Sequence, residues 1–181
     1  GTCTSVTSLH WVDTLVTVYN ISVADNHNYF AGNVGILVHN ANCDTKARAE
    51  ELQASLDIFF LAKNNAVVAV GLATDKQGND VCLVSLNNGT RYKKSETTKI
   101  SAIDQIKSQL EGNEIFVDSF LSDPDDAHAE ENMVAFAIAR GYNLYHIDAS
   151  AGICLDCENL IKLRNITTNT RFTGQRSKKR R

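Results

Sequence analysis

The sequence predicts an α/β sandwich preceded by a short β segment. Beyond residue 40, short apolar runs typical of strands alternate with segments of helical period. Two of these runs, "AVVAVGLATD" and "DVCLVSLNNG", are separated only by "KQGN", which indicates a β-hairpin opening the sheet. The first forty residues contain no Lys or Arg and are rich in β-branched residues. We therefore place a domain boundary between Asn40 and Ala41, giving domains 1–40 and 41–181.

The N-terminal segment predicts a strand, a loop and a second strand. The strands are "TLVTVYNISV" and "GILVHN", and "ADNHNYFAGNV" is the loop between them. A helix follows in "CDTKARAEELQASLDIFFLAKNN", with Asp44 as its N-cap. Its apolar stripe consists of Leu52, Leu56, Phe59 and Phe60.

The hairpin of the second domain is followed by an insertion of about 35 residues, in which "ISAIDQIKSQL" has helical spacing. "DAHAEENMVAFAIARGY" predicts a helix with an acidic entry and a stop at Gly141. Its run Met133–Ala139 is apolar almost all round, which predicts a buried helix. "NLYHIDA" is the next strand, "CLDCENLIKL" the next helix, and "TTNTRFT" a final short strand.

Composition limits the class of protein. The chain has 181 residues, 43% hydrophobic and 22% charged, which is typical of a soluble globular chain. The longest apolar stretch, Ala66–Ala73, is too short to cross a bilayer. No Lys or Arg precedes an apolar run at the N-terminus, so we expect no secretory signal. Five cysteines do not make a disulfide framework at this length, and two of them stand as C-x-x-C. This favours metal or redox chemistry.

The C-x-x-C pair and an upstream histidine predict a metal site. Cys154 and Cys157 are three apart at the start of a helix, so both thiolates can hold one ion. His128 opens the preceding helix, which we expect a parallel neighbouring strand to bring alongside. Three protein ligands with one open position is the count of a catalytic zinc site, and Glu130 is placed to shuttle protons. A fourth ligand, Cys43, would instead make the site structural.

Each half of this pattern has a simpler alternative. A lone His at a helix start is more often a cap or a surface residue. A C-x-x-C pair alone also fits a thioredoxin-like redox site, although that motif follows the first strand of its fold. Both halves in order, each opening a helix with one strand between, favour the metal.

"HAE" at 128–130 with "CLDC" at 154–157 resembles the zinc-dependent cytidine deaminase superfamily, whose signature is H-x-E…P-C-x-x-C. This resemblance covers about residues 66–165. The stretches "HAEENMVAFAIARGY" and "IDASAGICLDC" resemble in particular the toxin deaminases of polymorphic toxin systems. The resemblance implies a three-layer α/β/α deaminase-like sandwich and hydrolytic deamination of a nucleobase, with cytosine in nucleic acid as the first choice. It assigns His128, Cys154 and Cys157 as zinc ligands and Glu130 as general acid/base. Ile153 stands where the family has Pro.

"VYNISV", "HNYF" and "ILVHN" resemble the C-terminal end of a pretoxin Hint (intein-like) domain. That resemblance implies that Asn40 cyclises onto its own carbonyl, assisted by His39 and His27. The nucleophile block of a complete Hint domain is absent from the sequence, so we expect a truncated, inert remnant. The simpler alternative is a plain β-hairpin.

Charge is uneven along the chain. Residues 165–181 hold six Lys/Arg and no acid, whereas the remainder holds 12 basic and 21 acidic residues. The tail is either a polyanion-binding arm or a solvated terminus. Candidate substrate contacts are Arg91, Tyr92, Lys93 and Lys94, with Lys178, Lys179, Arg180 and Arg181 in the tail.

The toxin resemblance implies a nucleic acid substrate, a cognate immunity protein as partner, and delivery into the cytoplasm of a target cell. Two alternatives remain. The acidic body favours a deaminase of free nucleosides or nucleotides, because a polynucleotide binder should show a basic groove. A closed metal site would favour a non-catalytic zinc module that binds nucleic acid.

Overall fold

The computed structural model describes residues 28–31, 36–39, 44–56, 66–91, 94, 100–118 and 127–176. The chain divides into two compact units, Gly1–Asn42 and Cys43–Arg181. This division lies two residues beyond the boundary placed from the sequence. No helix within the described residues is long and apolar enough to cross a membrane.

The first unit contains an antiparallel pair of short strands. Strand β1, Asn28–Ala31, pairs with β2, Ile36–His39, and Asn28 lies opposite His39. β2 falls within a predicted strand. β1 lies inside the segment predicted to be a loop, so that prediction was wrong. Tyr29 and Phe30 are residue types that favour a strand. The other predicted strand, residues 14–23, lies outside the described residues.

The second unit is built on a mixed four-stranded sheet. Its strands are β3 (Val68–Thr74), β4 (Asp80–Leu86), β5 (Glu114–Phe116) and β6 (Asn143–Ala149). The order across the sheet is β5-β4-β3-β6. β3 is antiparallel to β4 and to β6, and β4 is parallel to β5. The predicted hairpin and the α/β class are confirmed, while the three-layer deaminase-like arrangement stays a prediction.

Five described helices accompany this sheet: α1 (Thr45–Ala54), α2 (Asn88–Arg91), α3 (Ala102–Lys107), α4 (Ala129–Arg140) and α5 (Leu155–Leu163). Asp44 caps α1 as predicted, with its carboxylate accepting from the N–H of Ala47 at 3.0 Å. Gly141 ends α4 in the left-handed conformation at φ 69°, which glycine adopts without strain. Leu52 is buried as predicted, and Phe59 and Phe60 lie outside the described residues.

The core consists of two hydrophobic clusters, and alternate residues of β3 belong to one cluster or the other. Val68 and Val70 belong to a cluster with α1 and α3. Ala69 and Ala73 belong to the other, with α4 and α5. Gly71 lets α4 approach closely, since a Cβ there would lie 2.4 Å from the sulfur of Met133. Close packing of α4 brings its N-terminus to the sheet.

A part-buried ion pair joins the insertion to α1. Arg48 Nε and Nη2 donate to the two carboxylate oxygens of Glu114 at 2.8 and 2.9 Å. Nη2 also donates to the carbonyl of Gln109 at 2.6 Å. Only 11% and 7% of the two side chains are exposed, so the bidentate pair fixes β5 against α1.

Four further predictions about elements were wrong. The insertion, for which no strand is predicted, supplies β5, whose three residues are too few to show a period. The last segment, "TTNTRFT", forms only single bridges, from Thr167 to His146 and from Phe172 to Ile153. A parallel neighbouring strand was expected to bring the two metal-ligating helices together, but β6 pairs with β3, which is antiparallel to it. Helix α4 is buried on one side only, and Ile138 is 53% exposed because a helix on a sheet keeps an outer face.

Asp148 explains why the last segment is irregular. Its buried carboxylate accepts the backbone N–H groups of Asn169 at 2.7 Å and Thr170 at 2.8 Å. It also accepts from the hydroxyls of Thr45 at 2.6 Å and Thr168 at 3.0 Å. A side chain on β6 thus takes backbone donors that a continuous strand ladder would have used.

Candidate metal centre

The metal-ligating candidates lie at the N-termini of two helices. His128 is the N-cap of α4 in extended conformation, and its backbone N–H donates to the carboxylate of Glu131 at 2.9 Å. Cys154 is the N-cap of α5, and Cys157 lies in the first turn with its N–H 3.5 Å from the Cys154 sulfur. Helix N-termini favour thiolate over thiol, because their N–H groups present partial positive charge.

The three side chains converge on one point. His128 Nδ1 lies 3.1 Å from Cys157 Sγ and 3.3 Å from Cys154 Sγ. All three ligand atoms lie within 4.8 Å of one another. Tetrahedral zinc with ordinary zinc–nitrogen and zinc–sulfur bonds would separate nitrogen from sulfur by about 3.5 Å. The observed separations are close to this value, and the borderline-soft donor set suits zinc.

Electrostatics of the cluster also favour a cation. Burial raises the pKa of the Cys157 thiol, and the neighbouring charges of Glu130, Cys154 and Glu131 raise it further. An anionic sulfur in this place needs nearby positive charge, because uncompensated buried charge is costly. A divalent metal ion supplies it and keeps the ligands deprotonated. The residues present therefore fit a zinc ion.

Glu130 lies beside the three ligands without belonging to their group. It sits in the first turn of α4, two residues after His128, and only 3% of it is exposed. Burial raises the pKa of its carboxyl group, although the N–H at the helix start, His128 and a hydrogen bond with Cys157 lower it. A carboxyl group with a raised pKa that lies beside metal-ligating side chains is suited to proton transfer.

The cysteine loop is held in place by the segment that follows α5. The N–H of Ile153 donates to the carbonyl of Arg171 at 3.0 Å, and the N–H of Thr173 donates to the carbonyl of Ile153 at 2.8 Å. The N–H of Leu155 donates to the carbonyl of Gln175 at 2.9 Å. These bonds lie on both sides of Cys154 along the chain. Segment 171–175 therefore fixes the loop that carries the first thiol.

The structure places the remaining candidates as follows. Lys94 is exposed and bridges to Ser101. Arg91 is fully buried and cannot reach a phosphate at the surface, so its prediction as a substrate contact was wrong. The end of β4 and strand β5 enclose the Arg91 side chain. The charged sequence "RYKK" gives no indication of this burial.

For one predicted residue only the backbone is described, and for others nothing is. His39 ends β2, and its backbone alone is described. Outside the described residues lie His27, Asn40, Cys43, Tyr92, Lys93, Lys178, Lys179, Arg180 and Arg181. The question of a fourth ligand from Cys43 therefore stays open.

Sequence reasoning missed a group of buried polar residues beside the centre. Asn88 and Asn132 are 5% and 0% exposed, and Asn132 interrupts the apolar face of α4. An Asn inside an otherwise apolar helical pattern was the available signal, because such a residue is buried only when its amide is hydrogen-bonded. Asp148 gave no comparable signal, since its partners come from distant parts of the chain.

Comparison with known proteins gave no match: no protein-family model, no curated protein and no solved structure is significantly similar to this chain. The geometry of the site, together with the two motifs of the sequence, therefore carries the functional argument.

Proposed function

We propose that this protein is a zinc-dependent hydrolytic deaminase of a nucleobase, with cytosine in nucleic acid as its first substrate. One observation carries the proposal: His128, Cys154 and Cys157 converge within 4.8 Å while the buried Glu130 lies beside them. Three protein ligands leave one coordination position for water, which is the arrangement of catalytic zinc sites.

His128 Nδ1 and the two cysteine sulfurs would hold the metal. Bound zinc supplies Lewis acidity, which makes water nucleophilic near neutral pH. The two helix N-termini stabilise the thiolate ligands, and the bonds from segment 171–175 hold the cysteine loop. Burial of Cys157 and Glu130 keeps bulk water away from the reacting groups.

Glu130 carries the protons of the reaction. Its carboxylate takes one proton from the attacking water as the oxygen bonds to the amine-bearing ring carbon, C4 in cytosine. It then delivers that proton to the ring nitrogen. In a second transfer, Glu130 moves the proton of the new C4 hydroxyl to the amine, and the carbon–nitrogen bond breaks with release of ammonia as the carbonyl forms. The sum is one water consumed, one carbon–nitrogen bond broken and one carbonyl formed. The raised pKa of Glu130 suits a group that must both accept and donate.

The wider biological role is part of the proposal. The resemblance to toxin deaminases and to the end of a Hint domain supports a delivered toxin that acts in a target cell. A cognate immunity protein would then block the site in the producing cell. The N-terminal unit would be a remnant without cleavage activity.

The test of the activity is sequencing of DNA and RNA from cells that make the full chain. We expect C-to-T changes that are absent from cells making Glu130→Ala. A-to-G changes would support a deaminase whose target base is adenine and not cytosine. Equal mutation frequencies in both cultures, together with no ammonia release from cytidine by the pure protein, would contradict the proposal. Faster turnover of free cytidine than of any oligonucleotide would replace nucleic acid by nucleoside as the substrate.

A further inference from the structure

A cluster of buried polar side chains lies next to the metal centre, at the end of β4 and in α2 and α4. Its members are Ser85, Asn88, Thr90, Arg91 and Asn132, none more than 5% exposed. Burying polar groups costs free energy unless they are hydrogen-bonded. A satisfied buried network also fixes the relative positions of the elements it joins.

Asn88 is at the centre of this cluster. Its side-chain oxygen accepts from Arg91 Nε at 3.1 Å and from Asn132 Nδ2 at 2.9 Å. Asn132 Nδ2 also donates to the carbonyl of Leu86 at 3.3 Å, and Arg91 Nη1 donates to the carbonyl of Val117 at 2.9 Å. One amide oxygen thus joins α2 to α4, and the side chains bonded to it reach the end of β4 and the chain after β5.

The cluster is bonded to the residue before His128 and, through a helical hydrogen bond of α4, to His128 itself. The backbone N–H of Asn88 donates to the carbonyl of Ala127, the residue before His128, at 2.9 Å. One turn later, the N–H of Asn132 donates to the carbonyl of His128 at 3.0 Å. Glu130 lies between these two points. The positions of His128 and Glu130 relative to the sheet are therefore set from α2.

The cysteines are held by a different part of the chain. Cys154 caps α5 and Cys157 lies in its first turn, and the loop that leads into α5 is bonded to segment 171–175. The centre is thus assembled from two halves with separate supports. A misplacement of about 1 Å between catalytic groups can change a rate by about 100-fold, so the support of the histidine half matters as much as that of the cysteine half.

We propose that Asn88, with Asn132 and Arg91, forms a positioning network that holds His128 and Glu130 against the two cysteines. Partners behind the ligands of a metal site typically contribute about 10- to 100-fold to metal affinity or activity. The effect on rate rests on the proposed deaminase function. The effect on metal binding does not.

The first test compares zinc affinity and ligand geometry in full-chain variants. Asn88→Ala removes the shared acceptor, and Asn88→Asp keeps an oxygen in its place. Asn113→Ala is the matched control, because Asn113 is exposed and, within the described residues, its side-chain amide donates to the carbonyl of Asp80 at 3.2 Å. Zinc affinity is measured by competition with a chromogenic chelator, and geometry by the visible absorption bands of the Co²⁺ form.

We expect Asn88→Ala to weaken zinc binding about 10- to 100-fold and to shift the cobalt bands. Asn88→Asp should recover most of both properties, and Asn113→Ala should match the parent. Unchanged affinity and unchanged bands in Asn88→Ala would overturn the proposal. A lower melting temperature with unchanged bands would also overturn it, because the network would then support the fold alone.

A second variant covers the case in which Asn88→Ala does not fold. Asn132→Asp removes the Nδ2 donor and leaves the helix start favourable for a negative charge; we expect the same weakening and the same spectral shift. In an active parent, kcat should fall about 10- to 100-fold with KM within about twofold, because the network does not touch the substrate. A parent that binds cobalt with normal bands but deaminates nothing would refute the proposed function and leave the positioning test standing.

Discussion

Replacing Asp148 by Asn should destabilise the second unit and change its response to acid. The Asp148 side chain is fully buried, and its two oxygens accept from Thr45, His146, Thr168, Asn169 and Thr170. Burial alone would raise its pKa, but these hydrogen bonds outweigh burial and lower the pKa well below its usual range. The carboxylate is therefore much better stabilised in the folded chain than in the unfolded chain.

The magnitude follows from the bonds that the substitution weakens. Asparagine keeps one oxygen, so the N–H groups of Asn169 and Thr170 stay bonded while the charge and the second acceptor are lost. Hydrogen bonds to a charged group contribute about 1.5–3 kcal/mol each, and the loss of one such acceptor and of the charge should cost about 2–4 kcal/mol. For a unit of this size, that corresponds to about 5–15 °C in the melting temperature.

The pH dependence has a definite sign. A carboxyl group with a lowered folded-state pKa stabilises the fold above its unfolded pKa of about 3.9, and the contribution is lost as pH falls towards the lower folded-state pKa. The difference in free energy of unfolding between parent and Asp148→Asn should therefore be full at neutral pH. It should shrink below about pH 4.

The assay is guanidinium unfolding followed by circular dichroism, at pH 7 and at a series of acid pH values. Asp118→Asn is the matched control, because the Asp118 carboxylate is 76% exposed and its ion pair with Lys107 is long at 3.8 Å. We expect this substitution to change the free energy of unfolding by less than about 0.5 kcal/mol. An Asp148→Asn protein as stable as the control at pH 7, or a difference that grows on acidification, would refute the reasoning.

The remaining predictions concern the metal, the proton shuttle and the insertion. Elemental analysis should find about one zinc per chain, and Cys154→Ala with Cys157→Ala should abolish it; zinc that persists in the double variant would place the metal elsewhere. Glu130→Ala should keep its zinc and lose at least about 100-fold in activity, and a parental rate would show that its role is wrong. Glu114→Ala should cost about 1.5–3 kcal/mol in chemical unfolding, because it removes two charge-assisted hydrogen bonds from the part-buried guanidinium of Arg48. Glu111→Ala is the control at a 73% exposed carboxylate of the same insertion, and equal losses in both would contradict a stabilising Arg48–Glu114 pair.

The local sequence was sufficient for the elements that carry the site. Asp44 and Gly141 mark helix ends through side-chain and backbone chemistry that acts within a few residues. The hairpin of β3 and β4 follows from two apolar runs around a short turn. Cys154 and Cys157 are brought together by helix geometry alone, because residues three apart lie on one face. Such signals need no knowledge of the rest of the fold.

Other features were decided by tertiary structure. Strand β5 has three residues and pairs in parallel with β4, so only the sheet itself shows that it is a strand. The charged Arg91 is buried because Asn88 and the carbonyl of Val117 satisfy it from other elements. Segment 167–173 is kept from forming a strand by a carboxylate on β6 that is about twenty residues away.

The sequence by itself determined the donor types of the site and the helix starts on which they stand, because both depend on residue identity and short-range spacing. Only the tertiary structure decided that His128 Nδ1 reaches both sulfurs, since 26 and 29 residues separate the histidine from the two cysteines. That approach depends on Gly71, whose missing side chain admits α4 to the sheet, and on the packing of α4 and α5 in one hydrophobic cluster. Contacts of this kind are sums of many weak interactions between distant segments, and no local pattern records them.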